Sequence, residues 1–148
     1  MTMPKQAMTL TDKRLKQALD ACPRPRHRAM LLLSVKAGLR AKEIAGLTWE
    51  AVDLDQGYLR LSETKGRKPR TVPLAAVLRD ALTACKAETK GPGPVFLNAR
   101  HEPLTANAVA QWFRDLYARK LGWSGYSSHS GRRTMITKAA RKITEAGV

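Results

Sequence analysis

The sequence predicts an α+β fold, mainly helical, with a small antiparallel β-hairpin or sheet. Three observations carry this. Most segments repeat their apolar residues at helical spacing. One pair of segments, 58–63 and 70–74, alternates as strands do and brackets a basic tip. No Pro/Gly/Ser-rich linker divides the 148 residues, so residues 1–148 are expected to form a single domain. Residues 1–9 are expected to be a flexible lead.

Thr11 is a candidate cap for a helix whose stripe is Leu15, Ala18, Leu19 and Cys22. Cys22-Pro23-Arg24-Pro25 interrupts it. The next helix, through Met30, Leu31, Leu32, Leu33 and Val35, is too uniformly apolar for the surface and should be central. Gly38 marks its end. A short helix over 40–47 turns Ile44 and Leu47 inward. Residues 53–57 form a turn cluster, after which come the two alternating segments. Pro73 restricts the second to an edge or an end. Val77, Leu78, Ala81, Leu82 and Cys85 form another helical stripe. The Gly-Pro-rich loop over 90–94 leads into a short strand at 95–97. Thr105 caps a helix carrying Val109, Trp112, Phe113 and Leu116. A last helix runs from near Ser130 to Glu145. Cys22 and Cys85 read as isolated, reduced core residues, since a metal site needs more ligands at closer spacing.

Charge narrows the function. Lys and Arg total 27 against 12 Asp and Glu, giving +15. The excess is spread along the chain, so the folded surface should attract polyanions. A basic RNA-binding protein is a further alternative, though an aromatic content of 5% gives little support for base stacking. There is no run of membrane-spanning length and no signal-peptide pattern. The expectation is a cytoplasmic protein, nucleoid-associated in a prokaryote, with no membrane partner.

Three separated places carry cationic residues in suggestive settings. The first is Gly38-Leu39-Arg40-Ala41-Lys42-Glu43-Ile44, continuing to Leu47-Thr48-Trp49. The second is Thr64-Lys65-Gly66-Arg67-Lys68-Pro69-Arg70-Thr71-Val72-Pro73-Leu74. The third is His129-Ser130-Gly131-Arg132-Arg133. Residues three apart share a helix face, and a helix N-terminus favours anions, so His129 and Arg132 could seat one phosphate. Arginine suits that task because its planar fork grips two oxygens and stays charged. Taken singly, each place has a plainer reading. Arg40 and Glu43 could be solvated helix residues. The basic tip could discourage edge pairing. His129 could be a cap or a hydrogen-bonded imidazole. His27 and His101 receive no role, and Trp49, Trp112 and Trp123 read as core or boundary.

Together, and in this order, the three places resemble the boxes of the tyrosine recombinases, the phage-integrase family. The resemblance runs over nearly the whole chain and implies that family's catalytic-domain fold. It implies that Arg40 and Arg132 clamp the scissile phosphate of double-stranded DNA. Lys65 would be the general acid toward the 5′ oxygen, and His129 a phosphate contact. Glu43 would orient the first-arginine region. Arg67, Lys68, Arg70 and Arg133 would hold neighbouring DNA. No metal and no other cofactor is implied.

The family's nucleophile is a tyrosine that follows a Gly-His pair. Continuing the pattern puts the pair roughly a dozen residues beyond Val148 and the tyrosine about twenty beyond. Tyr58, Tyr117 and Tyr126 all precede the third box. The expectation is therefore a truncated catalytic domain, inactive as given, that binds DNA. It should expose an apolar face near its last helix, open to self-association or to a docking partner. The rival expectation is a non-catalytic regulator in which residues 40–52 begin a helix-turn-helix. That motif needs a second helix for the major groove, where this sequence has a turn cluster and a strand pattern.

Overall fold

The structure, a computed structural model, describes residues 7–62, 68–89 and 91–145, with side chains through Lys142. Helix α1 is Asp12–Asp20. Thr11 caps it, its hydroxyl accepting from the Arg14 N–H at 3.1 Å. Helix α2, Pro25–Val35, opens with proline in its first turn, where a missing N–H costs nothing. Every residue from Ala29 to Val35 is buried. This helix is the centre of the domain, packed between α4 (Ala76–Thr89) and α6 (Ser128–Glu145). Gly38 then turns the chain with φ +69, a left-handed conformation that glycine adopts without strain.

Helix α3 is Ala41–Ala45, with Ile44 fully buried and Leu47 just beyond it at 2% exposure. It packs on α5, Ala106–Arg114. Thr105 caps α5, accepting from the Ala108 N–H at 3.0 Å. Helix α5 continues into a π-helical turn, Asp115–Lys120, which buries Leu116 and Tyr117.

The sheet has three antiparallel strands in the order β1-β2-β3: Val52–Asp53, Tyr58–Leu61 and Arg70–Pro73. Leu59 pairs with Val52 on one side and Val72 on the other and points into the core at 0% exposure. Pro73 ends β3, which is an edge strand. The first strand is too short for alternation to reveal it in sequence.

Two sequence expectations need correcting. The strand expected at 95–97 does not join the sheet. Thr48 meets Pro94, and Leu97 meets Pro103, as isolated bridges only. Proline on one side of each bridge supplies no N–H, so neither ladder can extend. The expected lead also shortens. The Met8 N–H donates to Gly125 O at 2.9 Å, and the Leu10 N–H donates to Thr134 Oγ1 at 2.8 Å. Met8 and Leu10 are thus tied to Gly125, just before α6, and to Thr134 within it. Among the described residues, no helix is long and apolar enough to cross a membrane.

Candidate nucleic-acid interface

Helix α6 starts two residues earlier than its apolar pattern suggests, because two serines cap it. The Ser127 hydroxyl accepts from the His129 N–H at 3.2 Å. The Ser130 hydroxyl accepts from the Ser127 N–H at 3.0 Å. This is the reciprocal logic of a capping box with serine as the second partner; the Ser-x-x-Ser spacing is the signal that would have located it. His129 therefore lies in the first turn and Arg132 in the second. Ser130, Gly131 and Thr134 are buried, while His129 and Arg133 are exposed and Arg132 is half-buried. His129, Arg132, Arg133 and Ile136 line one open groove of about 1000 Å³, together with Met8, Gly125 and Tyr126. Three cationic or ionisable groups thus share one helix face beside a helix N-terminus, the electrostatics an anion needs.

Gly131 sets how closely this face approaches α2. A Cβ there would run into the Ser34 hydroxyl and stand 2.6 Å from the Ser34 carbonyl carbon. The glycine lets two backbones touch. The close approach brings Arg132 to the end of α2, where its Nη1 donates to Gly38 O at 2.7 Å. Gly38 precedes Arg40 by two residues. The third box is thereby fastened to the first.

Arg40 is the N-cap of α3, with φ −78 and ψ 158. Its N–H donates to Glu43 Oε1 at 3.0 Å, while its Nη1 stands a loose 3.8 Å from the same oxygen. Arg70 makes the tight contacts, Nη1 to Glu43 Oε2 at 2.8 Å and Nη2 to Oε1 at 3.1 Å. Burial alone would push the Glu43 carboxyl up. The hydrogen bonds from Arg70 and the Arg40 N–H, with the charges of both arginines, outweigh it and hold the carboxyl below its ordinary value. Arg70, a DNA-contact expectation from the sequence, places both terminal nitrogens on Glu43. No sequence signal links these two positions, which lie 27 residues apart.

Lys65 and Arg67 lie outside the described residues. Lys68 is exposed beside β3. His27 lies against Trp112, the rings tilted by 37° with centroids 5.3 Å apart, and His101 sits in an exposed loop at φ 60. Trp49 is buried, and Trp112 and Trp123 are half-buried. Tyr117 is fully buried. The Tyr126 hydroxyl accepts from Arg14 Nη1 at 2.8 Å. Among the described residues, no group of three His, Cys, Asp or Glu side chains could hold a metal ion.

Residues 8–146 of the sequence match the Phage integrase family. The chain belongs to that family, the tyrosine recombinases. Among its family relatives is the tyrosine recombinase XerC of Syntrophus aciditrophicus, 31% identical over 133 residues, or 82% of this chain and 41% of that protein. XerA of Thermococcus kodakarensis is 39% identical over 77 residues, 51% of this chain and 27% of that protein. The family fold is equally plain. The crystal structure of XerA recombinase superposes with a TM-score of 0.84 at 20% identity, covering 96% of this chain and 52% of that one. The Tn1549 transposon integrase in complex with transposon right end DNA gives 0.74 at 21% identity, covering 95% and 55%. A lambda integrase dimer bound to a COC′ core site gives 0.67 at 23% identity, covering 91% and 52%. This integrase-family chain thus spans about two fifths of the length of the XerC relative.

The helix-turn-helix alternative does not fit this fold. After α3 the chain makes a 3-10 turn, Trp49–Ala51, and enters β1. The Val52 pairing with Leu59 commits the segment to the sheet. Among the described residues, no second α-helix directly follows α3.

Proposed function

We propose that this chain is the DNA-binding core of a site-specific tyrosine recombinase, the complete enzyme breaking and rejoining DNA. The observation that carries the reading is the bond from Arg132 to Gly38 O, which joins the third box to the first beside the groove of His129 and Arg133. In this reading Arg40 and Arg132 grip one scissile phosphate of double-stranded DNA. His129 contacts that phosphate at the α6 N-terminus. Lys65 protonates the leaving 5′ oxygen. Arg67, Lys68 and Arg133 hold the flanking backbone, and Glu43 orients the first-arginine region. Pre-placed cations suit phosphoryl transfer because they stabilise developing charge without reorganising. Neither a metal nor another cofactor has a part in this scheme.

The relatives support the DNA assignment, since integrase neighbours were solved on DNA. Net charge +15 supports it independently. The same reading has the chain associating with a second copy, or with a docking segment, through apolar surface near the last helix, where Ile136 is half exposed. The test is duplex binding followed by fluorescence anisotropy across a salt series. Affinity should fall steeply with salt, and both Arg40→Ala and Arg132→Ala should weaken it. Salt-independent binding, or binding indifferent to both changes, defeats the proposal.

A further inference from the structure

Arg70 lies on β3, and sequence alone suggests that it touches DNA. Its side chain is instead committed to the protein. Both terminal nitrogens hold Glu43, at 2.8 and 3.1 Å. The carboxylate so fixed is the one that accepts from the Arg40 N–H at 3.0 Å. We propose that Arg70 is a positioning residue for the phosphate grip, acting through Glu43 on Arg40 rather than on DNA. The inference rests on the reading of Arg40 as a phosphate-gripping residue.

Two physical arguments support it. The first is geometric. Helix α3 has five residues, too few to hold its own N-terminus by helix formation alone. The backbone of Arg40 depends on the side chain that satisfies its N–H. A carboxylate held at one point can rotate; one held by a two-pronged guanidinium cannot. Arg70 therefore fixes the oxygen that fixes the Arg40 backbone, and with it the direction in which the Arg40 side chain leaves α3. Arg132 restrains the same loop from its other side through Gly38 O.

The second argument is electrostatic. Glu43 stands 3.8 Å from the Arg40 guanidinium, close enough to become its partner. With Arg70 removed, the half-buried carboxylate would have Arg40 as its nearest cation and would compete with phosphate for it. Arg70 satisfies the carboxylate with a shorter, two-point contact, so the Arg40 pair stays loose at 3.8 Å and its charge is left for phosphate. Lysine at position 70 would keep a positive charge but could not span both oxygens.

The test is a double-mutant cycle on duplex-DNA affinity with the 148-residue chain, each variant checked by thermal melting. Arg70→Ala should weaken binding about 3- to 10-fold in the wild-type background and less than about 2-fold when Arg40 is already alanine. Arg70→Lys should behave like Arg70→Ala, and it carries the test if the alanine variant does not fold. An undiminished Arg70→Ala effect in the Arg40→Ala background would identify a direct phosphate contact and overturn the proposal. Full binding by Arg70→Lys, or no loss on Arg70→Ala, would overturn it as well. If Arg40→Ala itself leaves binding unchanged, the underlying phosphate-grip reading fails instead, so the two failures are distinguishable.

Discussion

Arg132 Nη1 donates to the carbonyl oxygen of Gly38 at 2.7 Å, across 94 positions of sequence. One side chain thus links the start of the last helix to the loop that presents Arg40. Replacing Arg132 should therefore act twice, removing the proposed phosphate contact and loosening the loop. Arg132→Ala is expected to lower duplex affinity and to reduce the slope of log affinity against log salt by about one. Lys16→Ala, on the exposed face of α1, should leave both much less changed. Arg132→Lys should recover little, because lysine is a point charge without the planar fork that presents donors along two edges. Anisotropy titrations over a salt series would show whether the two changes differ in this way.

The Gly131 position is tested by stability. A methyl group there meets the Ser34 hydroxyl and a Ser34 carbonyl carbon only 2.6 Å away. The carbonyl is backbone and cannot swing aside, so α6 must shift from α2. Gly131→Ala should destabilise by about 1–3 kcal/mol or more, seen as a lower urea midpoint. Adding Ser34→Gly should return only part of the loss, since it removes the hydroxyl and Cβ but leaves the carbonyl. Full tolerance of Gly131→Ala would contradict the tight approach of the two helices.

Much of this fold was legible because its signals are local. Thr11 and Thr105 cap where a threonine before an apolar stripe should. The uniformly apolar run over 29–35 became the central helix. The three boxes were legible as motifs, and the packing reason for Gly131 was not, because Ser34 lies almost a hundred residues away. The Glu43–Arg70 pair escaped for the same reason: an arginine in a basic hairpin looks like every other cation there. Strand β1 escaped because two residues carry no period. The Ser127–Ser130 cap was missed because serine replaces the usual glutamate of a capping box.

Glu43 makes stability depend on pH in a definite direction. Its carboxyl is held below the ordinary value of 4.5. Burial opposes this, but the hydrogen bonds and charges of Arg70 and Arg40 prevail. A depressed folded-state value means the unfolded chain takes up the proton first. The contribution is therefore complete above the unfolded value and is lost as pH falls through the folded one. Urea midpoints measured from about pH 6 down to about pH 3 should decline for the wild type. Glu43→Gln should start lower and decline less steeply. An unchanged acid limb in that variant would remove Glu43 as a source of the pH dependence.

Phosphate-ester cleavage requires lowering a barrier by on the order of 20 kcal/mol, and cationic clamping supplies no attacking atom. The sequence holds three tyrosines. Tyr117 is fully buried, and its hydroxyl makes no hydrogen bond among the described residues. Burial pushes that hydroxyl far up in pKa, with Cys22 and Tyr126 adding to the shift, so it is neither reachable nor ionisable near neutral pH. The Tyr126 hydroxyl is engaged by Arg14, whose guanidinium also stacks over the Trp123 ring at 4.8 Å. Tyr58 is exposed, but it lies on β2 paired with Asp53 and Pro73, away from the groove lined by His129 and Arg132. Tyr126 does line that groove, but with its hydroxyl held by Arg14 and its ring packed against Trp123 it is not free to attack; neither Tyr58 nor Tyr117 lines the groove. A nicked suicide substrate should therefore yield no covalent protein–DNA adduct with this chain on a denaturing gel, even where anisotropy shows full binding. An adduct mapped by peptide sequencing to Tyr58, Tyr117 or Tyr126 would force a different assignment of the reacting phosphate. Supplying a downstream segment that carries the family's Gly-His and Tyr elements should convert the bound complex into a covalent one, and that conversion should be abolished by Arg132→Ala.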